Sequence, residues 1–357
     1  MPVQMFMSEM MHLRSAEGEV IPWNGSKMPI EYPMVGSETR AKRYAIRSGG
    51  RAALVVDEPE VYDIRWYKLK GCCPIEGQSY ENQFLIKMGV RSDGEGKRPF
   101  GGVRKVDSIS ELKATERIAN KYDEYGVRPP MRPIGHVEYN MNFDGSPVCC
   151  TVLQINGDTR ASSFGGAWMS LLQKDKKTAC DGAFIDTIVK GMVDWLAFNH
   201  RMLKESKVTP FECTFDADNY AFHEVDGGYG LGRVDLSAVE FGSNKELMGR
   251  KEEFDLSILR EFPVASGLRG YAKKVGVKLA DLLKSTISIS DGEVEIIEIG
   301  NSEKETYKNE NGIKTLHVHK ERMQWVKDIE KRYIWALDSD KVPKPIPAEL
   351  LHRWYGV

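Results

Sequence analysis

The apolar pattern of this chain changes period near Arg160, and that change narrows the folds open to it. Upstream, Arg43 to Gly71 reads RYAIRSGGRAALVVDEPEVYDIRWYKLKG, two β-rich runs joined by an acidic, proline-containing turn, which predicts a hairpin. MRPIGHVEYN and SPVCCTVLQING read as further strands. One window in this half is helical: SISELKATERIANKYDEYG places Ile109, Leu112, Ile118 and Ala119 near helical spacing. Ser108 and Glu111 form a capping-box pair at its start, and Gly126 marks its stop. Downstream, Asp181 to Lys204 carries Ile185, Ile188, Val189, Met192, Leu196 and Leu203 on one face, the pattern of a long core helix. NYAFHE and LGRVDLS then flank a glycine-rich turn as a second hairpin. From Lys245 onward the chain reads as mostly helical, with an exposed hairpin within EVEIIEIGNSEKETYKNENGIKTLHVH. The expectation is an α+β chain in two parts: a small β-rich lobe with one key helix over 1–165, and a larger, mainly helical lobe over 166–357.

Composition excludes several classes. With 50 basic and 52 acidic side chains the formal charge is −2, so no global field draws the chain to DNA, RNA or an anionic membrane. No apolar run reaches the roughly 18 residues that a membrane helix needs. The Met-rich start, MPVQMFMSEMMHLRSAEGEV, lacks the basic segment, apolar run and cleavage site of a signal peptide, and is expected to stay unprocessed. Six cysteines are too few for a disulfide scaffold, and the neighbours Cys72-Cys73 and Cys149-Cys150 lack zinc-knuckle spacing. Reduced thiols in a cytoplasmic protein are the expectation.

Within this frame one series of residues carries chemistry. A nucleoside triphosphate needs a fixed cation at its phosphates, a group to orient that cation, and oxygen ligands for Mg²⁺. Lys70 ends a strand just before Gly71, and Glu111 lies in the next helix, where it can hold the lysine as an ion pair. Asn219 and Asp235 stand on either side of the second hairpin, where protein kinases place their two metal ligands. Each residue alone has an ordinary reading: a solvated lysine, a helix cap, an Asx-rich turn. Their joint order points to an ATP site. Ser48-Gly49-Gly50-Arg51 is the expected phosphate-facing loop, because glycines inside a strand run let backbone N–H groups approach a ligand. Gly228, Gly230 and Gly232 are followed by a strand and are read as turn glycines, not a phosphate loop. Kinases also carry a catalytic Asp five residues before the metal-binding Asn; that place is Thr214 here, with Asp216 and Asp218 nearby at other spacings.

The same residues resemble the selenoprotein O-type pseudokinases. That family's G-x-G-R-A, followed by W-x-x-Q-L-K-G, is similar to Gly49-Gly50-Arg51-Ala52 and to Trp66-Tyr67-Lys68-Leu69-Lys70-Gly71. Its S-I-R-E resembles Ser108-Ile109-Ser110-Glu111, leading into a stretch that here runs from Gly126 to Arg132. Its V-L-x-R-V-A-x-S-H-I-R-x-G-x-F is similar to the run from Val152-Leu153 through Arg160 and Phe164, with a small deletion, and its N-T-D-N to Asp216-Ala217-Asp218-Asn219. The metal aspartate of I-D-Y-G-P falls on Asp226 or Asp235, and hairpin logic favours Asp235. The likeness spans about 43 to 242, with gaps; the His-Gly before N-T-D-N is missing, and the segment 74–100 is longer than in the family.

The resemblance implies a protein-kinase-like fold that binds ATP in a flipped orientation and transfers AMP to protein hydroxyl groups. It implies that Lys70 and Arg160 hold phosphates, Glu111 orients Lys70, and Asn219 with Asp235 holds Mg²⁺. Two other functions fit the residues: phosphorylation of a small molecule, a protein or RNA with Asp216 or Asp218 as base, and silent nucleotide binding. Trp325, Trp335 and Trp354 are expected in the core, and KKVGVK near residue 273 on a solvated helix face.

Overall fold

The computed structural model describes residues 10–15, 18–28, 34–37, 43–47, 52–56, 66–72, 89–90, 97–98, 102–143, 145–175, 178, 181–211, 217–261, 287–290, 293–296, 302–309 and 312–356. Within them the protein is mixed α+β, built on antiparallel sheets. It divides into two compact units, Met1–Thr159 with Met202–Asp226 and Leu231–Gly249, and Arg160–Arg201 with Gly227–Gly230 and Arg250–Val357.

The first unit is organised by a nine-stranded sheet. Its strands are β1 (Met10–Ser15), β2 (Gly18–Pro22), β3 (Met34–Ser37), β4 (Arg43–Arg47), β5 (Ala52–Val56) and β6 (Trp66–Lys70). After the short separate pair β7 (Gly89–Val90) and β8 (Lys97–Arg98) come β9 (Val103–Arg104), β10 (Met131–Phe143) and β11 (Ser146–Ile155). The order is β2-β10-β11-β6-β5-β4-β1-β3, with β9 on β11. The hairpin expected over 43–71 is therefore three strands. Pairing of Ile46 with Leu54 and Arg47 with Ala53 makes the chain reverse between Arg47 and Ala52, where glycines weaken a continuous strand.

Alternation along β6 sorts this sheet into two unlike faces. Leu69 and Tyr67 join Ala53, Val55, Val137, Val148, Cys150 and Val152 in one buried apolar cluster. Lys70, opposite Ala52 and Thr151, and Lys68, opposite Leu54 and Leu153, lie on the other face. Helix α1 (Lys105–Glu124) packs there, with the Thr151 hydroxyl donating to Ser108 Oγ at 2.8 Å. The expected capping box is corrected: Arg104 is the N-cap, with no side-chain cap bond, and the helix starts earlier than Ser108. Asp107 occupies the first turn, bonded to Arg104 at 2.9 and 3.0 Å, so Ser108 and Glu111 are released to the buried face. Gly126 ends the helix as expected, with φ +69° and its amide donating to the Asp123 carbonyl at 2.9 Å.

The strand β12 (Thr159–Arg160) leads out of the first unit, and β13 (Val208–Pro210) returns to it, later pairing with β16 (Val239–Phe241). Between them β14 (Tyr220–Val225) turns at Asp226-Gly227 into β15 (Gly228–Arg233). Gly228, Gly230 and Gly232 thus lie in a strand and not in the turn. Close packing explains two of them: a Cβ on Gly232 would sit 2.8 Å from Pro130 Cγ, and one on Gly228 would sit 2.3 Å from the Ile346 carbonyl oxygen.

In the second unit the helices are α2 (Phe164–Lys174), α3 (Gly182–Glu205), α4 (Lys245–Glu261), α5 (Lys320–Leu337) and α6 (Ala348–Tyr355), the last turn of α3 and the start of α4 belonging to the first unit. Two hairpins, β17 (Ile287–Ser290) with β18 (Glu293–Ile296) and β19 (Ser302–Asn309) with β20 (Gly312–His319), complete it. The long amphipathic helix is present where the spacing put it, burying Ile188, Val189, Met192 and Leu196. Trp354 is core: it stacks on Phe164 at 4.1 Å between ring centroids and donates its indole N–H to the Phe164 carbonyl at 2.9 Å. Trp335, expected in the core, is 61% exposed. It follows buried Tyr333 by two positions, about 200° around the helix, and so faces away from the packed side. The Trp325 side chain, KKVGVK and most of 74–100 lie outside the described residues.

Candidate functional site

The site grows from the polar face of β6. Strand geometry carries Lys70 to the edge of the buried region at 5% exposure, and α1 sets Glu111, fully buried, above it. Lys70 Nζ donates to Glu111 Oε1 at 2.8 Å and to Asp235 Oδ1 at 2.7 Å. Glu111 Oε1 also accepts the Leu236 amide at 3.4 Å, so the helix carboxylate touches both the lysine and the segment bearing Asp235. Three residues separated widely in sequence meet at one ammonium group.

Asp235 is fixed from its own side as well. Its Oδ1 accepts the Ser237 amide at 3.1 Å and the Ser237 hydroxyl at 2.8 Å, while the Arg233 guanidinium binds its carbonyl at 2.9 Å. Asn219, closing the 3₁₀ turn Ala217–Asn219, accepts the Val234 amide on its carbonyl at 2.8 Å. This bond ties the two expected metal-binding residues together through the backbone, one position before Asp235. Asp226 is exposed in the β14–β15 turn, so Asp235 is the aspartate brought to Lys70.

The charges test whether a divalent cation fits. Lys70 and the Arg233 guanidinium together balance the two carboxylates in formal charge, and Glu111 Oε2 is buried with no hydrogen-bond partner. A buried carboxylate oxygen left without a partner is costly. The Asp235 side chain is 28% exposed and Asn219 is half-buried, so oxygen donors of the type Mg²⁺ prefers face accessible space. Among the described residues no group of three or more His, Cys, Asp or Glu could hold a metal ion. A cation held by Asp235 and Asn219 would need its remaining ligands from outside these two residues.

Sequence reasoning missed a second ion pair beside the first. Lys68, two residues before Lys70 on the same face and 3% exposed, donates to Asp158 Oδ1 at 3.2 Å. The Asn156–Asp158 loop is anchored to β14, since Glu224 N–H donates to the Asn156 carbonyl at 2.8 Å. The available signal was the WYKLK alternation, which puts two lysines on one face of a buried strand.

Asp218 is exposed in the 3₁₀ turn, and Arg160, in the second unit, precedes another such turn and accepts the Ser163 hydroxyl on its carbonyl at 2.6 Å. Gly49, Gly50, Arg51 and Asp216 lie outside the described residues. Burial pushes the Cys149 thiol up to about 12 and the His223 imidazole down to about 3, so both stay neutral near pH 7. Cys72, Cys149 and Cys150 are unbridged. No helix among the described residues is long and apolar enough to cross a membrane. Comparison with known proteins finds no family model that matches the chain and no curated relative.

Proposed function

We propose that the protein is an ATP- and Mg²⁺-dependent transferase with a kinase-like nucleotide site, moving AMP from ATP to a protein hydroxyl. The observation that carries the reading is Lys70 Nζ held between Glu111 Oε1 at 2.8 Å and Asp235 Oδ1 at 2.7 Å. A strand lysine, a helix glutamate and an aspartate after a hairpin serve nucleotide phosphates and their metal in kinases. In this site Lys70 would bind phosphate oxygens, Glu111 would keep the ammonium oriented, and Asp235 with Asn219 would hold the cation. Mg²⁺ would neutralise charge on the phosphates. Transfer to an alcohol joins its oxygen to the α-phosphorus, releases pyrophosphate and sends the hydroxyl proton to solvent or a nearby carboxylate. The choice of AMP over phosphate rests on the family resemblance and on Thr214 standing where a kinase has its base.

The test is incubation with Mg²⁺ and a candidate acceptor protein, using α-labelled and γ-labelled ATP in parallel. Label from the α-position on protein is expected, falling about 10²-fold or more in Lys70→Ala and Asp235→Ala. Label from the γ-position alone would make the protein a kinase. Bound ATP with no label transferred would leave a nucleotide-binding pseudokinase.

A further inference from the structure

The second unit contains a groove of about 580 Å³ between the outer side of α3, the end of α5 and the segment Lys341–Pro347. Its walls are unlike the rest of the protein in charge. Lys190, Arg332, Lys341 and Lys344 line it against one acid, Asp194, although the whole chain is slightly negative. Asp194 is used up by Arg332, which grips it at 2.7 and 2.6 Å, and Lys190 pairs with Asp186. Lys341 and Lys344 are exposed and, among the described residues, have no ion pair. Beside them stand Trp335 and Val342, 61% and 41% exposed.

The 341–347 wall is rigid, and its backbone is largely committed. Ile346 exchanges both backbone bonds with Tyr229, at 2.8 and 2.9 Å. The carbonyls of Lys344 and Lys341 accept from the Trp195 indole at 3.1 Å and from Arg201 at 3.0 Å. Pro343, Pro345 and Pro347 have no N–H to offer. A partner therefore cannot add as a strand to this segment and must be read by side chains: an aromatic platform, an apolar floor and two unpaired ammonium groups. Tryptophan is among the residues enriched in binding hot spots, and the lysines beside it supply charge selection.

We infer that this groove docks an acidic peptide segment of a partner protein, with one bulky apolar side chain seated against Trp335 and flanking carboxylates on Lys341 and Lys344. Complementary charge selects the acidic segment, and desolvation of Trp335 supplies the anchor. The inference does not rest on the transferase reading, because docking here needs no nucleotide.

The experiment is fluorescence anisotropy with the full-length protein, without ATP, and a short fluorescein-labelled peptide of Glu and Asp around a single Phe. Controls are the same peptide with Ala for Phe, a Lys-rich peptide and a labelled oligouridylate. Expected results are saturable binding of the Phe peptide, weakened at least about tenfold by Trp335→Ala and by Lys341→Glu/Lys344→Glu, by the Ala peptide, and by added salt. All three positions are exposed, so unchanged thermal melting should accompany these losses. Absence of saturable binding, equal binding of the Ala peptide, insensitivity to both variants, or tighter binding of the oligouridylate would each overturn the inference.

Discussion

His223 lies fully buried in β14, edge-on to Tyr122 at 6.1 Å between centroids, and burial holds its pKa near 3. An unfolded histidine titrates near about 6.5. Between these values the unfolded chain binds a proton that the folded chain refuses, so stability is complete above about pH 6.5 and falls as the pH drops toward 3. His223→Gln should flatten that acid limb, read from denaturant midpoints at neutral and mildly acidic pH; an unchanged slope would assign the limb to other groups. The residue scale also shows what sequence can disclose. Lys70 and Glu111 were legible because strand end and helix start have local signatures, and the 2.8 Å bond between them follows once helix and sheet pack. The pairing of Lys68 with Asp158 was not, since 90 residues separate them and the WYKLK alternation points to Lys68 but to no partner. Hairpin logic favoured Asp235 over Asp226 from sequence, and the structure puts Asp226 in a turn and Asp235 on Lys70.

Among the elements, long periodic stretches were read well and their ends less well. α3 and the β10–β11 pair occupy the segments whose spacing foretold them. The start of α1 was misplaced because Ser-x-x-Glu is also what a buried polar face looks like when Thr151 and Lys70 wait on the sheet below. The glycines of β15 were misread for a related reason: a strand that must let Pro130 and Ile346 come close looks in sequence like a turn. The loop before β12 carries a constraint as tight as that on Gly228, since a Cβ on Gly157 would lie 2.3 Å from the Phe222 carbonyl oxygen. Gly157→Ala should therefore cost about 1–3 kcal/mol, measured by chemical denaturation, because backbone must shift to admit the methyl group. A change below about 0.5 kcal/mol would show that the loop is not clamped to β14.

Over the whole molecule, the α+β character was legible from the change of period at Arg160, but the way the chain is shared between its two units was not. α3 and β15 each run from one unit into the other, and no periodicity marks where they cross. The second unit draws its core from both ends of its sequence: Phe164 needs Trp354, Gly191 lies against Ile346, and the Trp195 indole needs the Lys344 carbonyl. A chain ending at Gly249 should accordingly expose this apolar helical surface, bind a hydrophobic dye and elute as aggregates in size-exclusion chromatography. A monodisperse, dye-silent product would show that α2 and α3 find their partners elsewhere. The units change over at Thr159/Arg160, Arg201/Met202, Asp226/Gly227, Gly230/Leu231 and Gly249/Arg250. No single genetic crossover can therefore replace one unit and leave the other intact.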